Sequence, residues 1–506
     1  MLSAEDKRAL LVQELIKLND FLPSTVYIPF TSYKMRNYII LHIPPQEARV
    51  FKTKSRAPYM IAVEMYLPLE IAYCESNEAG SIEAITIKDV SKKITISRII
   101  EDGLAQEAPN NVNLYVKQIK STFQDSHKIT VPMPMSNSKM DVEHIKHEEA
   151  KARRMSQGEI YKPPRTVSNE EKKEDGLSDI YTDITEQSPT NSRSSKMVDK
   201  YKIIQKLDPF GEKFSQQAER LRKASPYGSL LSWKVMKFIV KTNDNLLQEQ
   251  FAMQLIMQFK QIFQKRHLNL WLYPYEILCT GPDSGLIECI NDIVTLDSLF
   301  KKSKPLNIQT LSEFFDIYFA QNDLLHEAKM NFAHSLSAYS LICYILQIKD
   351  RHNANILLDR SGHIIHIDFG YLISNNPGNF QLDNAPFKLP ADWINVLGGL
   401  DSIYFQMFTE NMIDGFMAIQ AEFDKIQVLI EAMYNLHEDL PCFQGKFKAI
   451  QGVGARIFPT IVGISNRRAL NPQEAKDFID QLIARANNNF RARIYDAYQY
   501  CFQGIY

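Results

Sequence analysis

The stretch Lys349-Asp350-Arg351-His352-Asn353-Ala354-Asn355, the apolar Ile356-Leu357-Leu358 after it and, beyond His363-Ile364-Ile365-His366-Ile367, the triplet Asp368-Phe369-Gly370 decide how this chain is read. An Asp, an Asn five residues later, an apolar hairpin and a second Asp make the donor set that phosphoryl transfer requires. One group must orient the attacking hydroxyl or accept its proton. Two oxygen ligands must hold Mg²⁺ against the β- and γ-phosphates of ATP. On that spacing Asn355 and Asp368 are the expected metal ligands and Asp350 orients the nucleophile. His352 competes with Asp350 as the base, since an imidazole titrates near neutrality. Each residue alone is commonplace, because an Asp in a loop is usually a turn former. The combination at these offsets carries the argument.

Working upstream, Phe238-Ile239-Val240-Lys241 closes an expected strand, and Glu249 follows eight residues later on an expected helix spanning Leu246 to Gln264. There it can pair with Lys241 and hold the ammonium against the α- and β-phosphates. The plain alternative is a solvated surface pair contributing about 1 kcal/mol at most. Before the strand lies the turn Ala224-Ser225-Pro226-Tyr227-Gly228-Ser229, which has one Gly and no G-x-G-x-x-G pattern. Its backbone N–H groups and the Ser225 hydroxyl suit phosphate oxygens. By itself it is an ordinary turn.

The Asp-to-Asn offset and the later Asp-Phe-Gly occur in protein kinases. The order Asp350-Arg351-His352 departs from their His-Arg-Asp and resembles the phosphoinositide 3- and 4-kinase superfamily. Trp271-Leu272-Tyr273-Pro274-Tyr275, Asp283-Ser284-Gly285-Leu286-Ile287-Glu288, Gly362 to Ile367, Lys54 to Tyr59 and Phe387-Lys388-Leu389 resemble type III beta phosphatidylinositol 4-kinases. The resemblance runs over about 8 to 104 and from 207 to the end. It implies an α+β, two-lobed protein-kinase-like lipid kinase fold, with a β-rich smaller lobe and a mainly helical larger lobe. It also implies a phosphate-covering loop at Ser225, Tyr227 and Gly228, and Tyr275 beside the nucleotide. A hinge follows from Glu288 to Ile290, with the Ile290 main chain meeting the adenine. Two residues depart from the family's pattern: Ala354 stands where Gly is usual and Asn245 where an acid is usual.

Composition sets outer limits. The chain has 506 residues, 45% apolar and 23% charged, with a formal net charge of −1. That balance argues against nucleic acid as a partner, because neutralising phosphates needs a basic field. The six cysteines are scattered with no C-x-x-C spacing and read as reduced cytosolic thiols. No apolar run is long enough to cross a bilayer, and Glu5, Asp6, Lys7 and Arg8 do not open a signal peptide. Membrane contact is therefore expected to be peripheral. The resemblance implies a cytoplasmic protein associated with Golgi or other intracellular membranes.

Residues 1–23 form an expected amphipathic helix, the end of an accessory helical region. Residues 24–104 begin the smaller lobe, with strands at Val26 to Ile28, Tyr38 to Ile43 and Met60 to Met65. Residues 105–200, crowded with Ser, Asn, Lys and Glu, read as a disordered linker or insertion. Within them Arg153-Arg154-Met155-Ser156 would suit a basophilic kinase. Residues 201–290 complete the smaller lobe with strands at Ser232 to Lys241 and Tyr275 to Cys279. Residues 291–506 form the larger lobe, built around a buried helix carrying Phe332, Leu336, Tyr339, Cys343 and Leu346.

The expected activation loop, Tyr371 to about Asp392, holds a single basic residue, Lys388. Bis-phosphorylated headgroups would need several. Lys388 thus suits an inositol without further phosphates, or is simply exposed. The terminal stretch from Pro472 carries Phe478, Leu482, Phe490, Ile494 and Tyr498 among Arg485, Arg491 and Arg493, a pattern equally suited to a membrane surface or a packed helix.

The expected activity, implied by the resemblance, is transfer of the ATP γ-phosphate to the 4-hydroxyl of phosphatidylinositol in membranes, with Mg²⁺ or Mn²⁺. A phosphatidylinositol 3-kinase, a related protein Ser/Thr kinase and an inactive scaffold are the alternatives. Small GTPase or adaptor partners, which the family recruits through its accessory helical region, fall on regions largely absent here.

Overall fold

Two segments far apart in sequence are sewn into one sheet. In a computed structural model the described residues are 3–23, 26–30, 38–51, 57–67, 208–320, 324–375, 385–459 and 468–487, with Tyr500 and Gly504. Helix α1 (Ala4–Asn19) starts at a capping box in which Ser3 and Asp6 satisfy each other's backbone donors. Strands β1 (Ile39–His42), β2 (Arg49–Val50) and β3 (Tyr59–Tyr66) follow. Next come helix α2 (Phe214–Ala224), β4 (Lys234–Thr242), α3 (Leu247–Lys265), β5 (Ile277–Gly281) and β6 (Ser284–Glu288). These strands form one antiparallel sheet in the order β1-β3-β4-β6-β5, with β2 on β3. The β3–β4 ladder runs from Tyr59↔Val240 to Met65↔Lys234. It carries the chain across everything between residues 68 and 207.

Both faces of this sheet are covered, so its central strand reads apolar on both sides. On one face Leu15, Phe30, Val63 and Phe238 pack under α1. On the other, Ala62, Tyr66, Leu221 and Trp233 pack under α2. Successive residues of β3 serve opposite faces, the period of two that a strand imposes. Within it Glu64 is the polar exception, 2% exposed. The expected strand at Val26 to Ile28 is reduced to one bridge, Tyr27↔Ile39. Flanking Pro23 and Pro29 lack the N–H groups a longer ladder would need.

The remainder is mainly helical. Strand β7 (Ile293–Thr295) leads to α4 (Leu296–Ser303), α5 (Leu311–Tyr318) and α6 (Leu324–Leu346). Then come β8 (Ile356–Asp359), β9 (Ile364–His366), α7 (Ala391–Val396), α8 (Ile403–Ala421), α9 (Phe423–Leu436), α10 (Phe447–Ile457) and α11 (Pro472–Ala486). Strands β7, β8 and β9 form a small antiparallel sheet. The architecture is mixed α+β.

Phe332, Leu336, Tyr339, Cys343 and Leu346 of α6 are all buried, as their spacing predicts. Its serines Ser335, Ser337 and Ser340 are buried too. Ser335 Oγ bonds its own helix at Asn331 O and accepts from Ile364 N at 3.0 Å, while Ser337 Oγ reaches Phe408 O at 3.1 Å. In α11, Phe478 packs on Phe416 at 5.2 Å and Tyr344 at 5.9 Å, and Leu482 is buried. Packing therefore accounts for this half of the terminal pattern. Phe490, Arg491, Arg493, Ile494 and Tyr498 lie outside the described residues, as do 105–200 with Arg153 to Ser156. No helix among the described residues is long and apolar enough to cross a membrane.

The turn between β8 and β9 presses on α6. Gly362 has φ +94°, and a Cβ there would lie 2.7 Å from Ala328 O and 2.8 Å from its Cα. Gly362→Ala is expected to cost about 1–3 kcal/mol. Urea unfolding followed by circular dichroism should show an earlier midpoint at unchanged slope.

Candidate active site

The β8–β9 hairpin brings the two expected metal ligands together. Its register is Ile356↔His366, Leu357↔Ile365 and Leu358↔Ile364. One further bond, from Ile367 N to Asn355 O at 3.1 Å, continues the ladder. Asn355 and Asp368 therefore leave the hairpin as near neighbours. Asn355 closes the 3₁₀ turn Asn353–Asn355, and its Nδ2 donates to Asp350 O at 3.1 Å. That bond leaves the amide oxygen, on the other side of the group, for a cation.

An amide oxygen and a carboxylate are hard donors of the kind Mg²⁺ or Mn²⁺ takes. Among the described residues no group of three His, Cys, Asp or Glu could hold a metal by itself. Two protein ligands completed by substrate phosphates is how Mg²⁺ is usually bound. Asp350 and Asp368 both have left-handed backbones, at φ +64° and +60°. Non-Gly residues seldom adopt that region, so the surrounding bonds must hold them there.

His352 Nε2 lies 3.7 Å from Asp350 Oδ1. Its Nδ1 is buried and finds no hydrogen-bond partner among the described residues. Burial lowers the imidazole pKa, and the Asp350 carboxylate opposes that only in part. The ring is thus neutral, and able to accept a proton, around neutral pH. Lys388 Nζ donates to Asn353 Oδ1 at 3.1 Å, which ties the expected activation loop to the turn beside His352.

Lys241 stands near the end of β4, opposite Gly285. Its Nζ lies 3.4 Å from Glu249 on the first turn of α3 and 3.5 Å from Asp244. Burial lowers the Lys241 pKa, but Glu249, Asp244 and Asp368 together outweigh it and the net shift is upward. Burial raises the Glu249 carboxyl against the pull of Lys241. Asp368 contributes to both, so the hairpin and the lysine share one electrostatic site.

Several residues expected at the nucleotide do other work. Tyr275 is 3% exposed and its hydroxyl donates to Glu249 Oε1 at 3.0 Å, so it holds the carboxylate from behind. The Tyr227 ring packs with Leu221, Leu230 and Trp233, leaving only main chain to the turn. The Ser225 hydroxyl donates to Glu64 and accepts from Tyr227 N at 3.1 Å. It is already committed. Gly228 is required by a close approach: a Cβ there would meet Arg222 O at 1.9 Å, and Arg222 Nε binds Gly228 O at 2.7 Å. At the expected hinge, Glu288 N donates to Glu276 O and Cys289 N to Lys237 O, both at 2.8 Å. Glu288 Oε2 accepts from Glu276 N at 2.9 Å. Ile290 is the first residue whose peptide lies past the ladder.

Three residues escape a reading of the sequence. Glu64 accepts from Trp233 Nε1 at 3.0 Å as well as from Ser225, and meets His42 Nδ1 at 3.1 Å. A lone carboxylate inside the apolar strand Tyr59–Tyr66 is the one available signal. Arg351, 5% exposed, donates to Lys349 O at 2.9 Å, to Ile367 O at 2.8 Å and to Asp368 O. Gln248 donates to Phe369 O at 3.0 Å and Gly370 O at 2.7 Å. Nothing local marks it beyond its place next to Glu249.

With this geometry in view, residues 235–444 match the family described as phosphatidylinositol 3- and 4-kinase. A phosphatidylinositol 4-kinase of Dictyostelium discoideum is 40% identical over 320 residues, covering 63% of this chain and 26% of that protein. Phosphatidylinositol 4-kinase beta of Rhinolophus ferrumequinum is 29% identical over 514 residues, covering 99% of this chain and 58% of that protein. The human protein of that name is 29% identical over 515 residues, with the same coverage of 99% and 58%. The chain thus spans less than two thirds of the length of these relatives.

It carries a phosphatidylinositol 3- and 4-kinase domain. Over nearly all of its own length it is similar to proteins named phosphatidylinositol 4-kinase beta. A domain of this family implies a kinase-like lipid kinase fold and the use of ATP with a divalent metal.

Replacing the ammonium tests the electrostatics. In Lys241→Met the Glu249 carboxyl stays buried without its cation, and its pKa rises further above the ordinary 4.5. A raised carboxyl stabilises the fold below its unfolded pKa and loses that contribution as pH climbs through the folded one. The stability deficit against wild type is therefore expected to be largest near about pH 8 and to shrink toward about pH 5. Thermal melts across that range check it.

Proposed function

We propose that this chain transfers the γ-phosphate of ATP to the 4-hydroxyl of phosphatidylinositol. The observation that carries the proposal is the convergence of Asn355 and Asp368 at the hairpin mouth within the field of the Lys241–Glu249 pair. Asn355 Oδ1 and Asp368 would hold Mg²⁺, or Mn²⁺ in its place, which offsets the charge that builds on the transferring phosphate. Lys241 binds the α- and β-phosphates, with Glu249 and behind it Tyr275 fixing its direction. Backbone groups of Ser225 to Gly228 cover the phosphates, and the Ile290 main chain receives the adenine. Asp350 orients the inositol hydroxyl while the neutral His352 takes its proton. Lys388, tied to Asn353, faces the headgroup.

In this reading 24–104 and 201–290 make a β-rich smaller lobe and 291–506 a mainly helical larger one. Residues 1–23 end an accessory helical region, and 105–200 form a linker. Transfer at the 4-position and a phosphatidylinositol substrate rest on the names of the relatives and on the single basic residue of the activation loop. Attachment to Golgi or other intracellular membranes is peripheral. Small GTPases or adaptors are partners that this reading assigns to the accessory helical region.

Labelled ATP offered with phosphatidylinositol vesicles, followed by identification of the ring position labelled, tests the activity. Product at the 3-position, or label on protein alone, overturns it. Asp368→Asn is expected to lower turnover by about 10³-fold, the equivalent of several kcal/mol of lost charge stabilisation. ATP binding in the presence of a chelator should hardly change.

A base must be deprotonated to act, and burial lowers the His352 pKa from 6.5. The acid limb of kcat/KM should therefore fall below that value. His352→Gln should remove the limb along with most of the rate. An unchanged limb in that variant assigns the proton to Asp350.

A further inference from the structure

Four consecutive carbonyls, Ile367 to Gly370, each accept a hydrogen bond from a side chain. Arg351 supplies Ile367 O at 2.8 Å and also Asp368 O. Gln248 Nε2 supplies Phe369 O at 3.0 Å and Gly370 O at 2.7 Å, and Asn375 Nδ2 reaches Gly370 O at 2.8 Å. The other end of the Gln248 amide is occupied as well: its Oε1 accepts from Cys442 N at 2.9 Å. The side chain is 8% exposed. One buried amide thus joins three elements: the first turn of α3, the segment bearing Asp368, and the 3₁₀ turn Pro441–Phe443.

We infer that Gln248 is a positioning residue that couples the placement of Asp368 to the docking of α3. It rests on the reading of Asp368 as a metal ligand, and Gln248 itself touches neither metal nor substrate. Three features require it. Asp368 is held at φ +60°, which the chain keeps only if its surroundings over-determine it. Arg351 secures the peptides at and before Asp368, whereas Gln248 secures the two that follow. Glu249, the partner of Lys241, is the next residue on the same helical turn. A shift of α3 that breaks the lysine pair must also release the Asp368 segment. Only an uncharged amide fits, since the site offers two acceptors and one donor: Glu would set a carboxylate against two carbonyls, and Met would strip Phe369 O and Cys442 N of their bonds and leave Gly370 O to Asn375 alone.

The structure contains its own control. Gln420 of α8 is 6% exposed, donates to Ile457 O at 2.7 Å and accepts from Leu470 N at 3.0 Å, the same bond types away from the hairpin. Gln248→Met, the isosteric Gln248→Glu and Gln420→Met would be compared in three measurements on the full chain. These are affinity for a non-hydrolysable ATP analogue with Mg²⁺ and with chelator, hydrogen exchange of the 367–372 amides, and melting temperature.

Both Gln248 variants are expected to weaken Mg²⁺-dependent binding by about tenfold or more, the loss of one or two buried bonds, while binding in chelator stays within about twofold. Exchange over 367–372 should accelerate. Gln420→Met should lower the melting temperature without either effect. An unchanged Mg²⁺ effect in both Gln248 variants, or an equal change in Gln420→Met, overturns the coupling. If Asp368→Asn itself keeps the full Mg²⁺ effect, the metal assignment is what fails. Exchange over 367–372 then decides the coupling alone: acceleration in the Gln248 variants sustains it, and no change overturns it.

Discussion

The β8–β9 ladder is the constraint on which the site depends. A hairpin with one register places one particular residue at each exit, and a slip by one would turn every side chain to the opposite face. Here Leu357, Leu358, Ile364 and Ile365 are buried on both faces, so the register is pinned by the turn and by contacts with α6 and not by an apolar–polar alternation. Asn355 and Asp368 then emerge together because Ile367 N still binds Asn355 O. Gly362 at the turn and Ser335 of α6, which accepts from Ile364 N, lock the hairpin to the longest buried helix. Two oxygen-bearing side chains are thus set side by side by rigid elements even though both residues sit in loops.

Charge completes what the ladder begins. Glu249, Asp244 and Asp368 all act on the single ammonium of Lys241. The lysine does not by itself offset three carboxylates, so a divalent ion and the lysine would be complementary in bringing in a polyphosphate. Asp244 also accounts for a departure in the sequence. Asn245, where the family has an acid, instead accepts from Leu247 N at 2.9 Å beside the start of α3. The neighbouring carboxylate reaches Lys241.

The parts legible in the sequence were those with short-range rules. Spacing alone places Asp350, Asn355 and Asp368, since a hairpin of fixed length lies between them. The strand-end Lys241 and the helical Glu249 also follow from local pattern. Tyr275 and Tyr227 do not, because a tyrosine in a motif can face a ligand or support the residue that does, and only tertiary packing separates the two. Here Tyr275 supports Glu249 and Tyr227 fills the core under α2.

Two of the residues that escaped share one physical property: each satisfies polar groups distant in sequence. Glu64 gathers Ser225 and Trp233 across the β3–β4 join. Gln248 gathers Phe369, Gly370 and Cys442. Burying such groups without partners costs about 1–3 kcal/mol each, so the fold must supply a partner wherever irregular backbone enters the interior. Irregular backbone enters at the turn Ser225 to Gly228 and beside Asp368. Long-range polar hubs therefore concentrate around the site, and their sequence signature is slight: Glu64 stands out as a carboxylate in an apolar strand, while Gln248 has no mark beyond its place next to Glu249.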